Sequence, residues 1–318
     1  MKHIRFFRRL YDSEVIQRDV YSAACAVGVA STFGAPIGGV LFSIEVTSTF
    51  FLVTNYWRGF VAAGVGAVAK QLMDQVREGT FHSFKPMFPT SFEPGDCSSV
   101  ELAAFLLLGM IMGLCGPVYI RASDAWRGAA YRHIHDRPFM FVVFTSLLIG
   151  LLLYTPGENN RTSIHTMITT LCHPSPLPET WSTTMPLFVA LLLSGVFRMV
   201  ATILSTSLPV PAGDFLPLFV CGAAFGRWYG ELLLWLLPNS GIVPGGYAVV
   251  GGAALVGAVT HTISVAGKDL VMRKTQNELL IVYSHCFGIH RTIHLLSTHD
   301  TGRTNVMRNE SRSHLLHL

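Results

Sequence analysis

Apolar runs separated by short polar breaks dominate the chain between residues 20 and 266. They cover about residues 21–51, 56–73, 100–120, 138–154, 185–208, 215–237 and 247–266. Several reach the roughly 20 residues a helix needs to cross a hydrocarbon core. Others are shorter or interrupted by Gly and Pro. Interrupted backbone at membrane depth is tolerated only where it is enclosed by protein or lines a watery cavity. The pattern predicts an all-α, polytopic membrane protein with broken helices. It points to transport rather than to simple anchoring.

The ends of the chain differ from this middle. Residues 1–19 form a basic N-terminal segment without the apolar core and small-residue cleavage site of a signal peptide. Residues 267–318 carry seven Lys and Arg with many His, Ser, Thr and Asn, and read as a divergent, disordered tail. Between the apolar runs, Arg121, Arg127, Arg132 and Arg137 crowd one connection, which the positive-inside rule assigns to the cytoplasm. Residues 156–184 hold one Arg and two Glu among many Ser, Thr and Pro, and read as extracellular. That stretch contains the sequon Asn160-Arg161-Thr162, a glycosylation site if it is presented on that face.

Composition supports the membrane reading. Half of the 318 residues are hydrophobic and only 13% are charged, against about 25% charged in soluble domains. Mean hydropathy is +0.45. The net charge of +4 forms no basic stripe interleaved with aromatics, so nucleic acid is not an expected partner. Six cysteines are scattered without a CxxC pair. Cys25, Cys115 and Cys221 fall in apolar runs and act as small hydrophobes, while a disulfide between Cys97 and Cys172 would join two connections. His133, His135 and Asp136 sit in the basic connection, and Cys286, His290 and His294 lie in the tail. Neither group is expected to hold a metal. No hydrolase, phosphate-loop or metalloprotease motif is present, so no enzyme and no cofactor is expected. Small residues recur in the apolar runs, as close helix packing in a bilayer requires. A weak internal echo relates residues 21–29 to 247–255, of the kind that inverted repeats leave in transporters.

The most informative stretch is PVPAGDFLPLFVCGAAFGRWYG, residues 209–230. Pro211 and Gly213 stop one helix, and a new one opens near Phe215 with Pro217 in its first turn. The first amides of such a helix lack intrahelical partners. Together with the positive end of the macrodipole they form an anion site without a full positive charge. An anion held by partial charges is still able to leave, as conduction demands. The candidate site is Gly213, Asp214, Phe215, Leu216 and Pro217.

This stretch is similar to the Gly-x-Phe-x-Pro anion loop and following Gly-Arg helix of the CLC voltage-gated chloride channel family. GVASTFGAPIGGVLFSIEVTSTF (residues 28–50) with NYWRGF (55–60), and VPGGYAVVGGAALVGAVTHTIS (243–264), resemble two further segments of that family. The resemblance covers residues 20–266 and runs closest to the animal plasma-membrane channel branch. It implies a partial CLC transmembrane domain, an inverted-repeat helical fold with broken and tilted helices. It also implies chloride as permeant ion, coordinated by the amides of Asp214 and Phe215, and assembly as a homodimer in the plasma membrane. Asp214 departs from the family, which usually has an uncharged residue there, and a carboxylate beside the anion would repel it. Exchangers of the family carry two adjacent acidic residues where this chain has Glu45-Val46. Val46 cannot carry a proton, which favours a passive channel over a chloride/proton exchanger. Glu45, Arg198 and Arg227 lie in apolar runs and are expected to pair or snorkel rather than touch the ion. The family's upstream Gly-Ser-Gly-Ile-Pro and Gly-Lys-Glu-Gly-Pro loops do not occur here. The chain therefore reads as a fragment, not expected to conduct alone, and a non-conducting partner of full-length subunits is the alternative.

Overall fold

The computed structural model describes residues 14–33, 35–47, 53–78, 99–136, 138–154, 158–181, 185–210, 213–238 and 242–261. Among these residues all regular structure is helical, as the apolar pattern predicts. The chain divides into two compact units, residues 1–94 with 262–276, and residues 95–261 with 277–318.

The described part of the first unit is α1 (Glu14–Phe33), α2 (Pro36–Thr47) and α3 (Val53–Glu78). The apolar run at 21–51 is thus two helices. Pro36 has no amide to donate and disfavours helical geometry in the residue before it, so the chain must restart at that point. Ala35 N–H still donates to Ala30 O at 3.2 Å, and Gly39 N–H to Ala35 O at 3.0 Å, which keeps the break tight. Ala26, Ala30, Val40, Ala63 and Ala67 form the core, with Ile44, Tyr56 and Phe60 against it. Small side chains let the backbones approach. A Cβ at Gly39 would lie only 3.0 Å from Ala30 N.

The described part of the second unit holds α4 (Ser99–Asp136), α5 (Pro138–Tyr154), a 3₁₀ turn at Glu158–Arg161, α6 (Ile164–Leu171), a second turn at Glu179–Trp181, α7 (Leu187–Ser205), α8 (Phe215–Leu236) and α9 (Pro244–Thr260). The segments Glu101–Tyr131 and Leu187–Ser205 are long and apolar enough to cross a bilayer. α8 and α9 pack along most of their lengths, α7 flanks α8, and α4 flanks α9. α9 is buried on nearly every face, from Tyr247 at 1% exposure through Ala253, Ala254 and Val256 at 0%. Tyr247 anchors it, stacked on Phe105 with ring centroids 4.4 Å apart and tilted against Tyr229.

Two expectations change here. The basic connection after residue 120 is helix as far as Asp136, so Arg121, Arg127 and Arg132 continue α4. Thirty-eight residues span about 57 Å at 1.5 Å each, against about 30 Å of hydrocarbon. The polar end of α4 therefore extends beyond the apolar layer, or the helix tilts steeply. The polar stretch at 156–184 also folds a short helix, α6, whose Ser163 side chain accepts from Thr166 N–H and caps it. Residues 1–13 and the tail at 267–318, with Cys286, His290 and His294, lie outside the described residues, as do Cys97, Arg137 and the side chains of His133, His135 and Asp136.

Candidate functional site

The five residues expected to face an anion sit where α8 begins. The first helical rung is Leu218 N–H to Asp214 O at 3.1 Å. The Leu216 amide lies ahead of that rung, and Pro217 has none to offer. Asp214 occupies the N-cap position with φ −90° and ψ −14°, yet its side chain makes no capping hydrogen bond. The carboxylate therefore does not consume the helix-end amides, as an aspartate at this position ordinarily does. Gly213 is exposed, and a Cβ built there would meet nothing within 4 Å, so the space beside the loop is open.

The approach to this loop is held from α4. Ser123 and Thr206 share a hydroxyl hydrogen bond at 3.1 Å, and Trp126 Nε1 donates to Ser207 Oγ at 2.9 Å. These bonds fix the C-terminus of α7 at the point where the chain leaves for Asp214. Arg127 reaches Ser123 Oγ at 3.4 Å and Asp124 at 3.5 Å. Asp214 lies within electrostatic reach of Arg127 and of Tyr119. Tyr119 is 3% exposed, and its hydroxyl has no hydrogen-bond partner among the described residues. Sequence reasoning missed this polar group because its contacts join residues 119–127 to residues 206–214, 80 or more positions apart, and no local motif links the two stretches.

Both intramembrane arginines are paired inside the protein rather than snorkelling. Arg198 on α7 donates from Nε to Asn160 Oδ1 at 3.2 Å and from Nη2 to Asn160 O at 3.1 Å. Arg227 on α8 is 0% exposed. It donates to the carbonyls of Leu171, His173 and Ser175 at 3.1, 2.6 and 2.9 Å, and to Glu231 Oε1 at 3.0 Å.

The Arg198 pairing corrects the glycosylation expectation. Asn160 is 5% exposed and its side chain is turned inward onto a buried guanidinium. A glycan needs that amide at the surface. Asn160→Gln is expected to leave electrophoretic mobility unchanged, and glycosidase treatment of the expressed protein to produce no shift.

Glu45 is exposed near the end of α2, and Val46 follows it, with its side chain outside the described residues. No group of metal-holding side chains occurs among the described residues. Cys172 is a free, buried thiol, and Cys97, its expected disulfide partner, lies outside the described residues.

Against known proteins, a family model described as "Voltage gated chloride channel" matches residues 2–283. Rabbit (Oryctolagus cuniculus) chloride channel protein 2 is 36% identical over 301 residues, covering 83% of this chain and 33% of the relative. Chloride channel protein F of Dictyostelium discoideum is also 36% identical, over 306 residues covering 90% of this chain and 37% of the relative. Among solved structures, a eukaryotic CLC transporter superposes with a TM-score of 0.69 at 29% identity, covering 92% of this chain and 47% of that one. The chain spans about a third of the length of the curated relatives it matches.

Proposed function

Since the chain belongs to the CLC family of voltage-gated chloride channels, with its animal branch, we propose that it supplies the anion-binding half-site of a chloride channel subunit. It is an integral membrane protein of all-α architecture. The observation that carries the proposal is the start of α8, where the helical ladder begins only at Leu218 and the Asp214 side chain makes no capping hydrogen bond. The backbone of residues 213–217 would hold chloride by partial charge. Val46, in place of a second acidic residue, favours passive movement over exchange for protons. The plasma membrane is the expected location. A homodimer, or pairing with full-length subunits, is the expected assembly, and residues 20–266 would be a partial CLC transmembrane domain.

The proposal requires chloride binding by this segment and not conduction by the 318 residues alone. Titration of the purified chain with chloride in detergent, read by calorimetry, tests it. Saturable binding supports the reading, and its absence across the millimolar range removes it. Asp214→Asn should then raise chloride affinity about three- to tenfold, because a carboxylate near the ion contributes about 1 kcal/mol of repulsion at the dielectric of a partly wet site.

A further inference from the structure

Arg198 lies near the middle of α7, whose 19 residues are long and apolar enough to cross a bilayer. A charge at that depth is costly unless it is paired. Arg227 meets the need with three carbonyls and a carboxylate. Arg198 does not. It is 8% exposed, and among the described residues only Asn160 accepts from it, through two of its five N–H groups. Among the described side chains, no carboxylate lies within ion-pair distance of it. The titratable group within its electrostatic reach is the thiol of Cys221 on α8. Two further donors belong to the same neighbourhood. Asn160 turns Oδ1 to the guanidinium, and Nδ2 of that amide is buried with no partner among the described residues. The hydroxyl of Ser194, 3% exposed, is also buried without one. The other α7 hydroxyls behave differently, since Thr202 and Ser205 both turn back to a carbonyl of the preceding turn. Ser194 precedes Arg198 by one turn on the same face, and a long helical side chain leans back over that turn.

We propose that Arg198, Ser194 and Asn160 form an enclosed site for one monovalent anion of halide type, which balances the guanidinium and pins the Glu158–Arg161 turn to α7. Every unmet group in the set can donate: the Ser194 hydroxyl, the Asn160 amide nitrogen and the remaining guanidinium N–H groups. A single guanidinium balances a single negative charge, whereas a dianion would leave net charge buried. The site is separate from the anion loop at the start of α8. Cys221 stands six residues beyond Phe215, about 9 Å along that helix. α7 and α8 are closely packed at this level, since a Cβ at Gly195 would lie 2.9 Å from the ring of Phe225. The site does not rest on the reading of residues 213–217 and holds whether or not that loop binds chloride.

Thermal unfolding of the purified 318-residue chain in detergent tests it, with chloride or bromide replacing gluconate at fixed ionic strength and Ser194→Ala as the central variant. A halide with a dissociation constant of about 10 mM, raised from about 1 to about 100 mM, favours the folded state about tenfold, a rise of about 3–6 °C in Tm. Ser194→Ala should melt no lower than the wild type in gluconate, because it removes a buried hydroxyl that has no partner. In halide it should lose a hydrogen bond to the anion. A three- to tenfold loss of affinity reduces the tenfold response to about two- to fourfold. Equal melting in halide and gluconate would overturn the site. So would a Ser194→Ala protein that melts several degrees low in gluconate, because the hydroxyl would then be engaged inside the protein. Asp214→Asn separates the two anion sites. A halide response that Asp214→Asn enlarges and Ser194→Ala leaves unchanged would belong to the loop before α8 and overturn the site on α7. A response that Ser194→Ala reduces and Asp214→Asn leaves unchanged would establish the α7 site and count against chloride at the loop.

Discussion

Gly226→Ala should drive α8 and α9 apart, whereas Gly64→Ala should leave the protein folded and slightly more stable. Gly222, Gly226 and Gly230 repeat every four residues on one face of α8, against Gly251, Tyr247 and Pro244 of α9. A methyl at Gly226 would enter the carbonyl of Tyr247, with Tyr247 C at 2.9 Å and Ala248 Cα at 3.1 Å behind it. These are backbone atoms of a helix that is itself buried, so no rotamer change relieves the clash. The cost should exceed the about 1–3 kcal/mol of ordinary side-chain overpacking. That is a large share of the about 5–15 kcal/mol that holds a typical domain together. Gly64 on α3 has nothing within 4 Å of its would-be Cβ, and exchanging it for alanine gains about 0.5–1 kcal/mol of helix propensity. Thermal unfolding in detergent, followed by circular dichroism, separates the two. A Gly226→Ala protein that melts with the wild type would mean that the α8–α9 crossing is not backbone against backbone.

The crossing shows what the sequence discloses and what it hides. Small residues at four-residue spacing announce a close helix contact, but only the fold says that Gly226 meets Tyr247 rather than lipid. α5 was legible to the residue, because an unbroken apolar run between Pro138 and Tyr154 has one sensible reading. The start of α8 was equally legible, since Pro211, Gly213 and Pro217 are each restricted to positions around a helix boundary. α6 was not, because it is eight residues long and turns only Met167, Ile168 and Leu171 inward within a Ser- and Thr-rich stretch. Its one local signal was Ser163, a hydroxyl placed to cap Ile164 onward. The polar end of α4 misled for the opposite reason. Its charges suggested a connection, although Ala and Arg are good helix formers and nothing between Arg121 and Asp136 stops a helix.

Partnership was least legible of all. Arg198 and Arg227 stand out as charges in apolar runs, but their acceptors are mostly backbone carbonyls, which carry no residue-type signal. Asn160 has a local triplet that suggests the surface, and a tertiary contact with Arg198 that puts it inside. The tertiary contact decides, because a buried guanidinium needs fixed acceptors and a glycan needs an exposed amide.

Arg227→Met should destabilise the second unit by about 3–5 kcal/mol, the range seen when one partner of a buried ion pair is removed. The side chain is 0% exposed and Glu231 only 14%, so the loss strands a carboxylate and three carbonyls in a site with little access to water. Methionine fills most of the volume, which keeps cavity formation out of the comparison. Arg227→Lys should recover only part of the loss. A single ammonium lacks the planar fork that reaches the carbonyls of Leu171, His173 and Ser175 and the Glu231 carboxylate together. The double variant Arg227→Met, Glu231→Gln separates the two contributions, because it removes the stranded charge and leaves the carbonyls unsatisfied. Recovery of about 1–2 kcal/mol over the single variant is expected, since the orphaned carbonyls keep their own desolvation cost. Full recovery in denaturation of the purified chain would show instead that the ion pair alone matters and that the 171–175 turn does not depend on Arg227.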